Sequence, residues 1–468
     1  MTETVLKGIF SFVTGIALWF CPIPAGIEPE GWHLFAIFVA TILGIILQPL
    51  PMGAMALIGL LATLLTQTLD FPTAFSGFNQ DVVWLIVFAF FVARGFVKTG
   101  LGLRISTWML SLLGRHSLGL GYCLVVSDLA LAPAIPSNTA RCGGVLLPLI
   151  DSLAESYGSH PKDPSARRIG AYLIQVLAQA DCVVSALFLT GMAANPLIAE
   201  MAATAGVELT WMSWFVAASI PALINLALIP PLLFWLYPPS IKVNPHGAAY
   251  AKKTLKEMGS IKRGEGIMLI AFILMIALWA TGSVTGLKAA TVALFGLVLL
   301  LITGVLSWQD IKKEEAAWET LIWFSTLLMM AKQLHAFGLT TWFSHLIALN
   351  LQGLPFAFPL LLLAYFYAHY FFASNLAHVG ALFATFLLVA TALGTPAPLA
   401  VLSLAFSSSL YGALTHYACG PSAALFGAGF VPTPTWWRLG FLFSLLHLMV
   451  WGLVGPLWWH LLGYWGVT

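Results

Sequence analysis

The sequence predicts an all-α polytopic membrane protein: about eleven transmembrane helices plus two re-entrant hairpins, arranged as an inverted repeat. Three observations predict it. Of 468 residues, 60% are hydrophobic and only 8% charged, with a mean hydropathy of +0.93. A soluble domain carries about 25% charged residues, so lipid must cover apolar surface that no packed core could hide. Apolar runs of spanning length follow one another along most of the chain. Small, polar and helix-breaking residues interrupt those runs at four places, two in each half.

Composition also excludes whole classes of partner. The formal net charge is +2 and the basic residues are scattered, so no nucleic acid is expected. The cysteines (Cys21, Cys123, Cys142, Cys182, Cys419) are far apart and show no metal-ligand spacing. They read as small buried hydrophobes, and neither a metal site nor an organic cofactor is expected. The first apolar run lacks a small-residue cleavage site, so it is expected to remain as a first span.

In chain order, spans are expected near 6–22, 32–50, 53–69 and 81–99. Two shorter apolar arms follow, 117–133 and 143–157, with a polar tip between them. Neither arm crosses a bilayer comfortably, so the pair reads as a re-entrant hairpin. A long apolar segment, 169–203, is broken at Thr190-Gly191-Met192-Ala193-Ala194-Asn195-Pro196, and a span near 211–236 follows. Residues 238–263 form the one long polar loop. Beyond it come spans near 265–282, 288–306 and 319–337, then an amphipathic connection, 341–352. A second pair of short arms, 356–371 and 379–393, flanks a second tip. A segment from 398 to 430 is interrupted at Thr415-His416-Tyr417-Ala418-Cys419-Gly420-Pro421, and a last span covers 439–464.

This order divides the chain into an extra first span (1–30), a first repeat (31–237), a cytoplasmic loop (238–263) and a second repeat (264–468). With the N-terminus inside, all of the 20 Lys and Arg except Arg141, Lys288 and Lys332 fall in or beside inside loops, as the positive-inside rule requires. The C-terminus is then outside. Equivalent elements lie an odd number of spans apart, so the two halves are inverted.

The two tips share a pattern. Ser137-Asn138-Thr139-Ala140-Arg141 and Ser374-Asn375-Leu376-Ala377-His378 each place a basic residue four positions after the serine. Their serines lie 237 positions apart (374 − 137). Breaking a helix at membrane depth frees backbone N–H and C=O groups, which protein, water or ligand must satisfy. Helix N-termini with free N–H groups suit carboxylates, whereas freed carbonyls and Asn or Ser oxygens suit a cation such as Na+. Ser137, Asn138, Thr139, Ser374 and Asn375 are therefore the expected anion-binding residues. Gly191, Asn195, Thr415 and Gly420, at the breaks, are the expected cation-site or charge-compensating positions. The competing reading is that Ser-Asn only caps the helices at the tips.

The run PSNTARCGGVLLPL (136–149), DPSARRIG (163–170), the TG…N break (190–195), FYAHYFFASNLAH (366–378) and YACGP (417–421) resemble the divalent-anion/sodium symporter family over nearly the whole chain. Within it the likeness is to bacterial citrate/succinate and plastid-type 2-oxoglutarate/malate exchangers. The resemblance implies an elevator-type homodimer in a bacterial inner membrane, with hairpins, broken helices and the last span of each half moving together. It implies secondary active transport of dicarboxylates (2-oxoglutarate, malate, succinate) and of citrate, by exchange. The alternative is a sodium-coupled symporter, with Na+ as the coupling cation. The chain departs from the family pattern at Leu376, where the second tip has lost a threonine hydroxyl, and at His416, where relatives often carry proline.

Charges at membrane depth are costly unless used or paired. Arg141 and His378 are expected to do part of a bound cation's electrostatic work, leaving the empty site with excess positive charge. Asp128 and Asp181 are the acids inside apolar segments, as proton sites or as partners of Arg141. An enzyme is not expected: the chain has neither an H-E-x-x-H pair nor a G-x-S-x-G elbow.

Overall fold

A computed structural model describes residues 3–242, 246–339, 341–342 and 356–464. Among the described residues every regular element is helical. Seven helices there are long and apolar enough to cross a membrane: Pro29–Leu47, Asp81–Thr99, Gly170–Leu187, Trp211–Leu236, Arg263–Ala280, Asn375–Ala392 and Thr433–Leu461. Shorter apolar helices lie before and between them, among them Thr4–Trp19, Met52–Leu65 and Ala289–Ile302.

Two expected spans end early. The runs 53–69 and 288–306 give helices Met52–Leu65 and Ala289–Ile302, of 14 residues each. At 1.5 Å per residue each rises only about 21 Å. Both stop for the same reason. Thr66 and Thr303 are followed by left-handed residues, Gln67 at φ 56° and Gly304 at φ 74°. The chain then turns back, with Leu69 N donating to Thr63 O and Leu306 N to Leu300 O. A capped short helix follows in each case, Phe71–Ala74 from Asp70 and Trp308–Lys312 from Ser307.

The local geometry of the tips recurs in the same way. Ser137 Oγ accepts from Ala140 N at 3.2 Å and Ser374 Oγ from Ala377 N at 3.3 Å. Each tip continues as one α-helical turn, Asn138–Arg141 or Asn375–His378. A π-helical turn follows, Cys142–Leu146 or Val379–Phe383, and then the second arm, Leu147–Ser156 or Ala384–Ala392. Single π turns inside α-helices mark functional sites.

The chain packs as two compact units. One comprises Met1–Val87, Pro196–Glu208 and Glu314–Ala405; the other comprises Phe88–Asn195, Leu209–Lys313 and Phe406–Thr468. Each unit draws on both expected halves, so the expected halves are not the packing units. The first unit centres on Pro29–Leu47, Met52–Leu65 and Glu315–Ala336, with Trp32, Leu34, Leu60, Met329 and Met330 buried together. The second is built around Gly170–Leu187, whose residues are all buried, packed against Ser117–Leu131 and Trp211–Leu236.

A helix that the sequence reading left as loop, Leu101–Leu113, starts immediately after the left-handed Gly100. The polar loop also contains a helix, His246–Met258, and the two pack together. Arg104 fastens this layer: its Nε donates to Glu265 Oε1 at 2.9 Å and its Nη1 to Gly259 O at 2.9 Å. Lys98 Nζ reaches Asp310 Oδ2 at 2.6 Å. That ion pair and the Ser307 hydroxyl hold the Asp310 carboxyl well below the ordinary carboxylate range. Most of the expected amphipathic connection, 341–352, lies outside the described residues.

Candidate functional site

The second unit gathers the first tip and both breaks. At the tip, Pro133–Ser137 is non-helical, and Ser137 caps the helical turn that begins at Asn138. Asn138 Oδ1 accepts from Thr139 N at 3.1 Å. The serine oxygen acts as acceptor for the cap, which leaves its own O–H free to donate. Thr139 is exposed, and Ser137 and Asn138 are half-buried.

Gly420 lies against this tip. A Cβ at Gly420 would sit 2.1 Å from Thr139 Oγ1 and 3.2 Å from Thr139 Cβ. Glycine is required there because backbone, not side chain, approaches the threonine. Gly420 is also the first residue of helix Gly420–Gly427. The starts of two helices, at Asn138 and at Gly420, therefore meet around Thr139. Each start carries partial positive charge, and at the first the N–H groups of Thr139 and Ala140 are capped by Asn138 Oδ1 and Ser137 Oγ.

The first break lies between Gly170–Leu187 and Ala194–Thr204. Its freed carbonyls are satisfied by side chains. Asn195 Nδ2 donates to Ser185 O at 2.7 Å and to Phe188 O at 2.9 Å. Thr190 Oγ1 donates to Pro133 O at 2.8 Å, tying the break to the hairpin turn.

Arg141 completes the link. It is fully buried. Its Nη1 donates to Ile135 O at 2.9 Å and Gly191 O at 3.0 Å, one carbonyl from the turn and one from the break. Its Nε donates to Asp128 Oδ1. Its Nη2 donates to Asp181 Oδ1 at 2.6 Å and Ser185 Oγ at 2.9 Å. All five guanidinium protons thus have protein acceptors. The expectation of excess positive charge at Arg141 does not hold, because two buried carboxylates face one guanidinium. Asp128 and Asp181 are its partners, the second of the two roles foreseen for them.

The second break follows Ala397–Leu410 and the short turn Tyr411–Ala413. Gly412 O accepts from Ser422 Oγ at 2.6 Å and from Cys419 Sγ at 3.1 Å. Thr415 is buried, and its Oγ1 has no partner among the described residues. Trp437 Nε1 donates to His416 Nδ1 at 3.1 Å, which gives the departure at His416 a structural partner. Ser185 and Ser422 carry weight that the sequence reading missed. For Ser422 the available signal was its place three residues after Cys419 of the break, a capping distance; Ser185 precedes its break and carried no such signal.

The first unit holds the second tip. Asn375 is 8% exposed and His378 is fully buried. His378 Nδ1 lies 3.0 Å from Nδ1 of His369, a residue not foreseen, and the rings of Tyr365 and Phe372 flank it. A hydrogen bond between two Nδ1 atoms needs one proton, so at most one ring of the pair is doubly protonated. Leu376 is half-buried.

The sodium:sulfate symporter transmembrane-region model matches residues 2–465. The spinach chloroplast dicarboxylate transporter 1 is 48% identical over 97% of this chain and 81% of its own length. The citrate/succinate antiporter of Escherichia coli strain K12 is 35% identical over 99% of each chain. Among solved structures, MtrF of Neisseria gonorrhoeae, assigned to a class of antimetabolite efflux pumps, superposes with a TM-score of 0.56. It is 14% identical over 97% of this chain and 94% of its own, a likeness of fold alone. Matched from end to end by that model and close to these two carriers, the chain belongs to the sodium:sulfate symporter transmembrane-region family.

Proposed function

We propose that the chain is a secondary active transporter of dicarboxylates (2-oxoglutarate, malate, succinate) and of citrate, working as an anion exchanger. The observation that carries the reading is the meeting of two helix N-termini at Thr139. Such a place attracts a carboxylate with partial positive charge and with the hydroxyl and amide donors of Ser137, Asn138 and Thr139. The names of the spinach and E. coli relatives supply the substrate class and, for the latter, the antiport.

In this reading Ser137, Asn138 and Thr139 bind carboxylate at the first tip, and Ser374 and Asn375 are the carboxylate-binding residues of the second. Leu376 offers no hydroxyl, so Asn375 carries the second tip. Arg141 stands where a coupling cation would otherwise satisfy freed carbonyls: it bonds both the hairpin turn and the break at Gly191. A tethered cation cannot leave with substrate, which favours exchange over sodium symport. Asn195 serves two other carbonyls of the first break, Ser185 O and Phe188 O, Thr415 and Gly420 line the second break, and His378 holds the matching place in the second tip. The halves form an inverted repeat with eleven spans, N-terminus cytoplasmic and C-terminus outside. The carrier works as an elevator-type homodimer in a bacterial inner membrane.

Purified protein in proteoliposomes loaded with malate should accumulate labelled 2-oxoglutarate or succinate. Failure to take up any di- or tricarboxylate against such a load would refute the substrate class.

A further inference from the structure

The Arg141 cluster has one carboxylate too many. Asp128 and Asp181 are 0% and 1% exposed and bring two negative charges to one guanidinium. A net buried charge in low dielectric is strongly disfavoured, and the group neutralises instead. The other groups facing the pair are thiols: Cys142, whose sulfur lies within 4.8 Å of carboxylate oxygens of both acids, and beyond it Cys182 and Cys419. None of them is a second cation. A metal ion in their place would have to displace the guanidinium that both acids already hold.

The two acids are not equivalent. Asp181 Oδ1 accepts from Arg141 Nη2 and from Ser185 Oγ at 3.4 Å, and its carboxyl also takes the Cys142 thiol. Among the described residues the Asp128 carboxyl accepts only from Arg141 Nε, through Oδ1. Its Oδ2 is buried and has no partner among the described residues. An unpaired ionised oxygen in that place costs far more than an unpaired neutral hydroxyl.

From this asymmetry we infer that Asp128 is a proton-binding site: its Oδ2 carries a proton in the working protein, so the Asp128–Arg141–Asp181 cluster is electrically neutral. The proton makes Arg141 a structural cation whose charge is fully matched. Removing it at alkaline pH leaves one net negative charge two residues from Thr139. A dianion then binds against repulsion, and exchange falls. The alkaline limb is the second consequence and rests on the transporter reading. The protonated acid itself does not.

The direct test is infrared spectroscopy of the reconstituted protein in D2O at about pH 7.5. Of the 18 Asp and Glu, exposed ones are ionised there, with ordinary pKa values of about 4. The parent should show the C=O stretch of a neutral carboxylic acid, absent from Asp128→Asn and unmoved in Asp181→Glu, which keeps both acids on the one guanidinium. If Asp128→Asn fails to fold, Asp128→Glu keeps the acid and should move the band. No such band in the parent, a band moved by Asp181→Glu, or a band unmoved by Asp128→Glu would overturn the assignment. In exchange assays the parent should lose several-fold activity as the pH is raised until Asp128 gives up its proton, and Asp128→Asn should show a flat profile. A persistent infrared band with no alkaline fall would retain the proton and overturn its link to transport.

Discussion

Thr139 and Gly420 stand so close that a single methyl group between them would touch the threonine hydroxyl: the Cβ of any larger residue at 420 would lie 2.1 Å from Thr139 Oγ1. Two helix starts that lie far apart in sequence are thereby brought to one point. Gly420→Ala should separate them and weaken exchange at least about tenfold, or about 1.4 kcal/mol, while the protein stays folded. Transport assays paired with thermal unfolding check both.

Asn138→Ala and Asn375→Ala should each cut exchange severely without unfolding the protein. Each removes an amide donor to an anion, at about 1–3 kcal/mol. Near-normal uptake by both variants in proteoliposomes would take the tips out of the site.

Arg141 makes a prediction of another kind. Arg141→Ala leaves Asp128, Asp181 and the carbonyls of Ile135 and Gly191 without their donor. Breaking a buried ion pair from one side destabilises by about 3–5 kcal/mol. Lysine cannot replace the five donors, so Arg141→Lys should also lower the melting temperature. A variant that loses transport but keeps the parent's thermal stability would mean that Arg141 acts on substrate rather than on the fold.

The tips and breaks were legible because Gly, Pro, Ser and Asn stand out against an otherwise apolar chain. Span order was legible from the same contrast. Four features were not. Leu101–Leu113 is short and amphipathic and starts after a glycine, so it reads as a loop with Arg104 in it. The ends of Met52–Leu65 and Ala289–Ile302 depend on left-handed residues, which hydropathy does not register. The charge state of Arg141 depends on Asp128 and Asp181, 13 and 40 residues away in sequence, and spacing alone says nothing about which way those side chains point. The same holds for His369 beside His378.

Topology can be checked by labelling. A single cysteine within 238–263, in a background without the natural cysteines, should react only from the cytoplasmic side, and one at the C-terminus only from outside. Labelling of both from one side would break the eleven-span arrangement and the inversion of the halves with it.

The central claim is that a tethered Arg141, rather than a mobile cation, satisfies the carbonyls at the first break, so that the carrier exchanges anions without sodium. The measurement is uptake of labelled 2-oxoglutarate into proteoliposomes with Na+ or K+ outside, each with and without internal malate. The account predicts equal uptake in Na+ and K+ and none into vesicles that lack malate. Uptake that requires Na+ and proceeds into empty vesicles would contradict it and establish the symporter.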